Sequence, residues 1–276
     1  MQLFIDSHAH FYPCYNLVLF LQAGIHNVNA LAEQHGSTSG TPRILCLTES
    51  AGHVYFARWR QALQHGDALG GVDAEVVSGP GPEMIEVRAE NERLWLLPGR
   101  QIKADNALEV SAFGLRETVP DGGDLQSIIG TVLSLGAVPV LPWGVGKWFG
   151  ERGREVRQAM DFYGEDLGLS DNANRPGFWP TPILLRQAAA AGTLFGGSDP
   201  LPLAAAQTDV GRYGTLVSTK KLPENGQQVL ALLRSHTKAG SRRRVGSREG
   251  AFSFIIKQAS MWIRNRKAHR VGQTGF

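Results

Sequence analysis

Five short runs rich in Val, Ile, Leu and Phe, at residues 3–5, 44–47, 138–141, 167–169 and 193–195, are each followed by a small or polar residue and then by a stretch of helical period. The clearest helical stretch, residues 124–135, places Leu125, Ile128, Ile129, Val132 and Leu133 on one face, and Gly136 supplies its stop. Another spans residues 181–191, with Thr181 as N-cap, Pro182 at the first helical position and Gly192 as terminator. Strand and helix therefore alternate, which predicts an α/β fold on a parallel sheet, open or closed.

Residues 73–116 break this rhythm. Strands are expected at 75–77, 84–88, 94–97 and 108–113, joined by turns such as Ser78-Gly79-Pro80-Gly81-Pro82, and they read as antiparallel hairpins or edge strands. No internal repeat is present, and no linker interrupts the chain before residues 235–250, which are polar, basic and glycine-containing. An apolar and basic helix is expected over 251–267. The chain thus divides into a β/α body, 1–234, and a basic extension, 235–276.

Charge follows the same division. The net charge of +3 is the difference between −7 over residues 1–233 and +10 over residues 234–276. Arg242-Arg243-Arg244 and Arg264-Asn265-Arg266-Lys267 would hold phosphate backbones or anionic lipid without sequence preference. However, Phe252, Phe254, Ile255, Ile256, Met261, Trp262 and Ile263 are interleaved with them, and no nucleic-acid-binding motif accompanies them. Charge complementarity favours packing of the extension on the acidic body, with nucleic-acid or membrane docking as the alternative. Cys14 and Cys46 are too few for a disulfide scaffold and form no CxxC pair. The opening MQLFIDSHAH has no basic leader, and the apolar run at 17–21 is too short to span a bilayer. A reducing, cytoplasmic setting is expected.

Two motifs carry chemistry. Asp6-Ser7-His8-Ala9-His10 ends the first strand, and alternation in an extended chain turns Asp6, His8 and His10 the same way, so that two imidazoles can grip one cation. Hydrogen-bonded core or surface histidines are the competing explanation. Gly196-Gly197-Ser198-Asp199-Pro200 ends the last clear strand, where the glycines admit close approach and Pro200 keeps Asp199 out of helical geometry. Such an acid binds a metal or takes a proton from a metal-activated water, although Asp is also a common helix N-cap. Asp171-Asn172-Ala173-Asn174-Arg175 follows the strand at 167–169 and is equally a substrate-orienting set or a polar loop with Asx turns. Trp143, Trp148, Phe149, Phe178 and Trp179 cluster in neighbouring loops, where they would stack on a ring substrate or cover the core. Lys147 reads as a substrate-anion contact or a surface lysine.

The DxHxH of the first strand and the GSD of the last resemble the amidohydrolase superfamily and its relatives with the polymerase and histidinol phosphatase (PHP) domain. That resemblance implies a distorted (β/α)7-8 TIM-like barrel with metal-dependent hydrolase activity, here with a β-hairpin insertion near 73–116 and a C-terminal basic helix. Thr48-Glu49-Ser50 lies where the PHP pattern has a TDH-like turn, Gly99-Arg100-Gln101 where it has a metal-binding Glu, and 138–143 where a strand ends in His-Pro. The departures are specific: Ser50, Gln101, Pro142 or Trp143, and Leu201 stand where ligands are expected, and no histidine occurs between residues 66 and 235. The resemblance therefore implies a reduced centre, one divalent Zn, Mn or Fe held by His8, His10 and Asp199. Glu49, Asp171 or Gln101 would complete the shell, and Asp199 or Glu49 would steer the proton. The expected activity is hydrolysis of an amide, ester or phosphoester of a small-molecule substrate contacted by Gln101, Trp143, Lys147, Asp171, Asn172, Asn174 and Arg175. The alternative is a degenerate barrel that binds a saccharide or anion through the same loops.

Overall fold

The computed structural model describes residues 1–38, 40–235 and 242–273, with side chains described as far as residue 264. In chain order the elements are β1 (Gln2–Ala9), α1 (Leu17–Gln34), β2 (Arg43–Glu49), α2 (Tyr55–Gln64), β3 (Asp73–Val77), β4 (Met84–Ala89), β5 (Glu92–Lys103) and β6 (Glu109–Phe113). There follow α3 (Leu125–Ser134), β7 (Val138–Pro142), α4 (Glu151–Tyr163), β8 (Gly168–Asn172), α5 (Ile183–Ala191), β9 (Leu194–Gly197), β10 (Tyr213–Ser218), α6 (Gly226–Arg234), β11 (Arg242–Gly246) and α7 (Ala251–Gln273). Local rules account for several of these. Asp124 caps α3 by accepting from Ser127 N at 2.9 Å, and the helix buries Leu125, Ile128, Ile129 and Val132, the face expected from their spacing. For α5 the N-cap is Pro182 rather than Thr181, because Pro182 takes extended backbone (ψ 148°) that opens the helix one residue later; Gly192 ends it in the left-handed conformation.

The strands join one sheet in the order β11-β10-β1-β2-β5-β6-β7-β8-β9, with the β3–β4 hairpin attached to β5 off this path. Parallel pairs join β1 to β2, β2 to β5, β7 to β8 and β8 to β9, while β6 and β10 run the other way and β11, antiparallel to β10, runs with β1 again. The result is a mixed, nearly closed, barrel-like sheet in place of the regular (β/α) repeat. The segment read as an insertion supplies two of its staves. One edge of β5 lies along β2 in parallel register from Arg43↔Leu94 to Glu49↔Arg100; the other meets β4 in its first half and β6 in its second. Hairpin turns announce the antiparallel neighbours, whereas the parallel pairing to β2 is non-local and leaves no mark in the turns.

Leu3, Ile5, Ile44, Cys46, Leu97, Phe113, Val140, Phe195 and Val217 form one core with Val229, Leu230 and Leu233 of α6 and with no other helix. These residues fill the inside of the sheet. Because α6 approaches Gly136, before β7, through Arg234, it closes the end at which the parallel strands begin. Chemistry is left to the opposite end, where β1, β2, β7, β8 and β9 terminate. The far edge of the sheet is drawn in to a seam there: Asp199 N, just past β9, donates to His8 O of β1 at 2.7 Å, and Gly196 N of β9 to Thr215 Oγ1 of β10 at 2.8 Å.

The extension joins the body. β11, within the stretch expected as a linker, pairs with β10 from Tyr213↔Gly246 to Val217↔Arg242; residues 236–241 of that stretch, and the side chains of Asn265, Arg266 and Lys267, lie outside the described residues. Phe254 of α7 meets Trp179 (ring centroids 5.7 Å), and Lys257 pairs with Asp209 at 2.6 Å and with Glu249. Phe252, Ile255, Ile256, Trp262 and Ile263 stay exposed, since the apolar residues of α7 are spread around the helix and cannot all face the body. No helix among the described residues is long and apolar enough to cross a membrane.

Glu249 is the buried anchor of this junction. Burial opposes its charge, but hydrogen bonds from Lys257, Ser253 and Arg212 prevail and hold its pKa at about 2, below the usual 4.5. A depressed carboxylate stabilises the fold above its unfolded pKa and loses that contribution as pH falls through the folded value. Amide protection over residues 251–264, measured by hydrogen exchange and corrected for intrinsic rates, is therefore expected to fall between about pH 4.5 and 2. Glu249→Gln should show the loss already at neutral pH; unchanged protection in both experiments would remove Glu249 as the anchor.

Candidate metal centre

The alternation argument fails at one point in β1, and the failure builds the site. Between Asp6 and Ala9 the register against β2 shifts, so that Asp6↔Leu45 is followed by Ala9↔Leu47, three steps against two. Such a bulge reverses the facing of the residues beyond it. Asp6 therefore does not share a face with the histidines. Its buried carboxylate ties the seam, accepting from Ser198 N (2.9 Å), Ser198 Oγ (2.5 Å), Gly211 N (3.0 Å) and His8 N (3.1 Å). Burial dominates its titration and raises its pKa to about 6. His8 turns to the inside, where Nδ1 meets Ser111 Oγ of β6 at 3.3 Å.

His8, His10 and Asp199 converge. The two Nε2 atoms are 2.9 Å apart, and Asp199 Oδ1 lies 3.6 Å from that of His8 and 3.7 Å from that of His10. Among the described residues this is the group whose ligand atoms cluster closely enough for an ion, all within 4.8 Å. Ligands at about 2.1 Å from a common ion are about 3.0–3.6 Å apart for angles between 90° and 120°, and the three separations lie within about 0.1 Å of that range, so the spacing suits one cation. Burial lowers the pKa of both imidazoles, that of His10 to about 4, which leaves them neutral and able to donate a lone pair. Asp199 is held in turn: Asn172 Nδ2 donates to its Oδ2 at 3.0 Å and Asn174 Nδ2 to its main-chain oxygen at 2.6 Å. Its backbone is left-handed (φ 46°), a conformation that Asp and Asn tolerate better than most residues. At 22% side-chain exposure, its carboxylate is the part of the group that reaches the mouth.

Asn172 Oδ1 is a buried acceptor nearby without a hydrogen-bond partner, and Gln101 Oε1 lacks one of normal geometry while its side chain lies against His8 closely enough to favour the charged imidazole. Unmatched buried oxygens are costly, and a site that awaits an ion, a water or a substrate group supplies the reason for them. The donor set and these oxygens fit a divalent cation of the Zn, Mn or Fe kind.

The remaining expected residues are placed differently. Glu49 Oε1 accepts from Phe56 N at 3.0 Å, capping the start of α2, and Oε2 lies 3.7 Å from Arg100 Nη1, so this acid is outside the histidine group. Lys147 pairs with Glu109, and this pair does lie by the histidines: after burial, Lys147 adds to the lowering of the His8 pKa and Glu109 opposes that of His10. Asp171 is fully buried and bound bidentately by Arg175 (Nε–Oδ1 2.7 Å, Nη2–Oδ2 2.8 Å), with Tyr213 OH at 3.1 Å and Arg244 Nη1 at 2.5 Å on Oδ2. Asp171 and Arg175 hold the extension to the body rather than face the mouth; Arg244 comes from a stretch read as linker, and no local signal connects it to Asp171. Trp143, Trp148, Phe149 and Trp179 line a largely apolar cavity of about 550 Å³, while Phe178 stands outside it against Trp179. Asn172 joins this cavity to the histidine group, since its Nδ2 also donates to Trp143 O at 2.7 Å. Tyr12, beside His10 with ring centroids 5.5 Å apart, escaped sequence reasoning; its position two residues beyond His10 was the available signal.

No protein-family model and no curated protein matches the sequence. Among solved structures, the fold is similar to that of PsfC from Pseudomonas syringae PB-5123, with TM-score 0.54 and 14% identity over 96% of this chain and 98% of that one. It is also similar to the lesion-specific endonuclease PfuEndoQ from Pyrococcus furiosus, with TM-score 0.51 and 9% identity over 88% of this chain and 58% of that one. At these identities the likeness is one of architecture: the chain shares its overall fold with PsfC and with a little over half of the endonuclease.

Proposed function

We propose that the chain is a metal-dependent hydrolase of the amidohydrolase and PHP kind, with its reaction centre at His8, His10 and Asp199. The carrying observation is the convergence of two imidazole Nε2 atoms from the end of β1 and a carboxylate from the end of β9, at the open end of the sheet. When bound, a divalent ion supplies Lewis acidity and lowers the pKa of a water it coordinates. The protein's residues do the rest. Neutral His8 and His10 hold the ion's position, and the outer hydrogen bond of His8 to Ser111 fixes its ring. Asn172 fixes the rotation of Asp199, leaving that carboxylate to accept the proton released when water attacks. The aromatic cavity takes the apolar or ring-bearing part of a small-molecule substrate, and its wall is tied to the reaction centre through Asn172. The fold likeness to an endonuclease favours a phosphoester over an amide or carboxylic ester.

Protein purified without a histidine tag is expected to retain about one equivalent of transition metal and to hydrolyse members of a chromogenic phosphoester panel. Asp199→Asn keeps a side chain that accepts left-handed backbone, so its melting temperature should stay within a few degrees of the parent. Metal affinity and activity should each fall by a factor of about 100 or more in this variant and in His8→Ala. Retained metal and activity in both variants would overturn the proposal.

A further inference from the structure

Between β11 and the α5–β9 segment lies a groove of about 420 Å³ that the hydrolytic reading does not use. Five arginines line it: Arg175, Arg242, Arg243, Arg244 and Arg248. The hydroxyl-bearing Thr181 and Tyr213 complete its polar wall. No carboxylate among the described residues lines the groove. Among the described residues, the acid paired with any of these five is Asp171, which lies fully buried beneath and is shared by Arg175 and Arg244. Arg242, Arg243 and Arg248 have no ion-pair partner among the described residues. Arg242 spends its donors on carbonyls near the end of α6, Leu233 O and Ser235 O at 2.8 Å, and lies over the Phe195 ring at 4.4 Å. Burial, with no carboxylate to oppose it, lowers its pKa to about 10. The Nε of Arg242 and the Nη1 of Arg248 are buried without any hydrogen-bond partner.

One carboxylate thus faces five guanidinium groups in a cavity with partly low-dielectric walls, which focuses a positive field on whatever enters. Guanidinium forks match the paired oxygens of phosphoryl groups, and a single monovalent anion would leave most of the charge unmatched. The volume is that of a small-molecule pocket. We propose that this groove binds a small molecule carrying two or more phosphoryl charges, held by Arg243, Arg244 and Arg248, at a place separate from His8, His10 and Asp199. The ligand stabilises the junction at which β11 and the extension meet the body.

The test is calorimetric titration of the full chain with inorganic tripolyphosphate at constant ionic strength. Saturable binding at about one site per chain is expected, with affinity at least tenfold weaker in Arg243→Gln/Arg248→Gln. Arg243 is exposed and Arg248 makes one long hydrogen bond, 3.4 Å to Gly177 O, so the double variant should fold. Arg154→Gln, an exposed change on α4, should bind as the parent does, and so should Asp199→Asn, which separates this site from the hydrolytic one. Non-saturable binding, or equal affinity in the double variant and Arg154→Gln, would overturn the proposal. A single-stranded oligonucleotide whose affinity exceeds that of tripolyphosphate, rises with length and depends on Arg243 and Arg248 would also overturn it, in favour of a polymer backbone.

Discussion

Asp171→Ala is expected to destabilise the fold by about 3–5 kcal/mol, the cost of leaving one member of a buried ion pair without its partner. Arg175 is only 1% exposed, and two of its donors end on the Asp171 oxygens; without them a full positive charge remains in the interior. Tyr213 OH and Arg244 lose their acceptor in the same step. The effect should appear in urea unfolding as a lower midpoint with an unchanged slope. Arg244→Ala is the informative contrast. It removes a partly exposed partner while the bidentate Arg175–Asp171 pair survives, and should cost about 1 kcal/mol. Equal losses in the two variants would mean that the network is not centred on Asp171.

Gly197→Ala should be comparably severe, for a steric reason. A Cβ at this position would lie 2.4 Å from His8 Cβ and 2.6 Å from His8 N, distances at which backbone must move. Separating β9 from β1 breaks the Asp199 N–His8 O bond and carries Asp199 away from both imidazoles. Overpacking of this kind costs about 1–3 kcal/mol or more, and metal retention should be lost with it. At Gly123 the same substitution meets Ile128 Cγ1 at 3.5 Å, an ordinary contact, and should change stability by less than about 0.5 kcal/mol. A Gly197→Ala protein that retained both stability and metal would show that the seam is looser than its geometry implies.

These expectations separate what local pattern announces from what it conceals. The runs at 3–5, 44–47 and 138–141 fall within β1, β2 and β7, that at 193–195 overlaps β9 from Leu194, and α3 begins at its Asp124 cap, because apolar period and capping chemistry act over a few residues. His8, His10 and Asp199 stood out for the same reason, as polar residues at the ends of apolar runs. Asp6 faces away from the histidines, against simple alternation, because a bulge is a property of two paired strands, and one strand's alternation carries no sign of it. Glu49 also ends a strand, but the amide that its carboxylate accepts belongs to α2, a contact that strand-end position alone does not announce.

Sequence alone therefore determined that strands and helices alternate, that two histidines and an aspartate sit at strand ends, and that the last 43 residues are basic. Tertiary structure decided that β5 and β6 are staves of the sheet, that β11 extends it, and that Asp171 is neutralised by Arg175 and by Arg244, 73 residues away. The division has one cause. Backbone period and capping are set by neighbours along the chain, whereas a carboxylate's role depends on which donor reaches it, and long-range strand pairing chooses that donor.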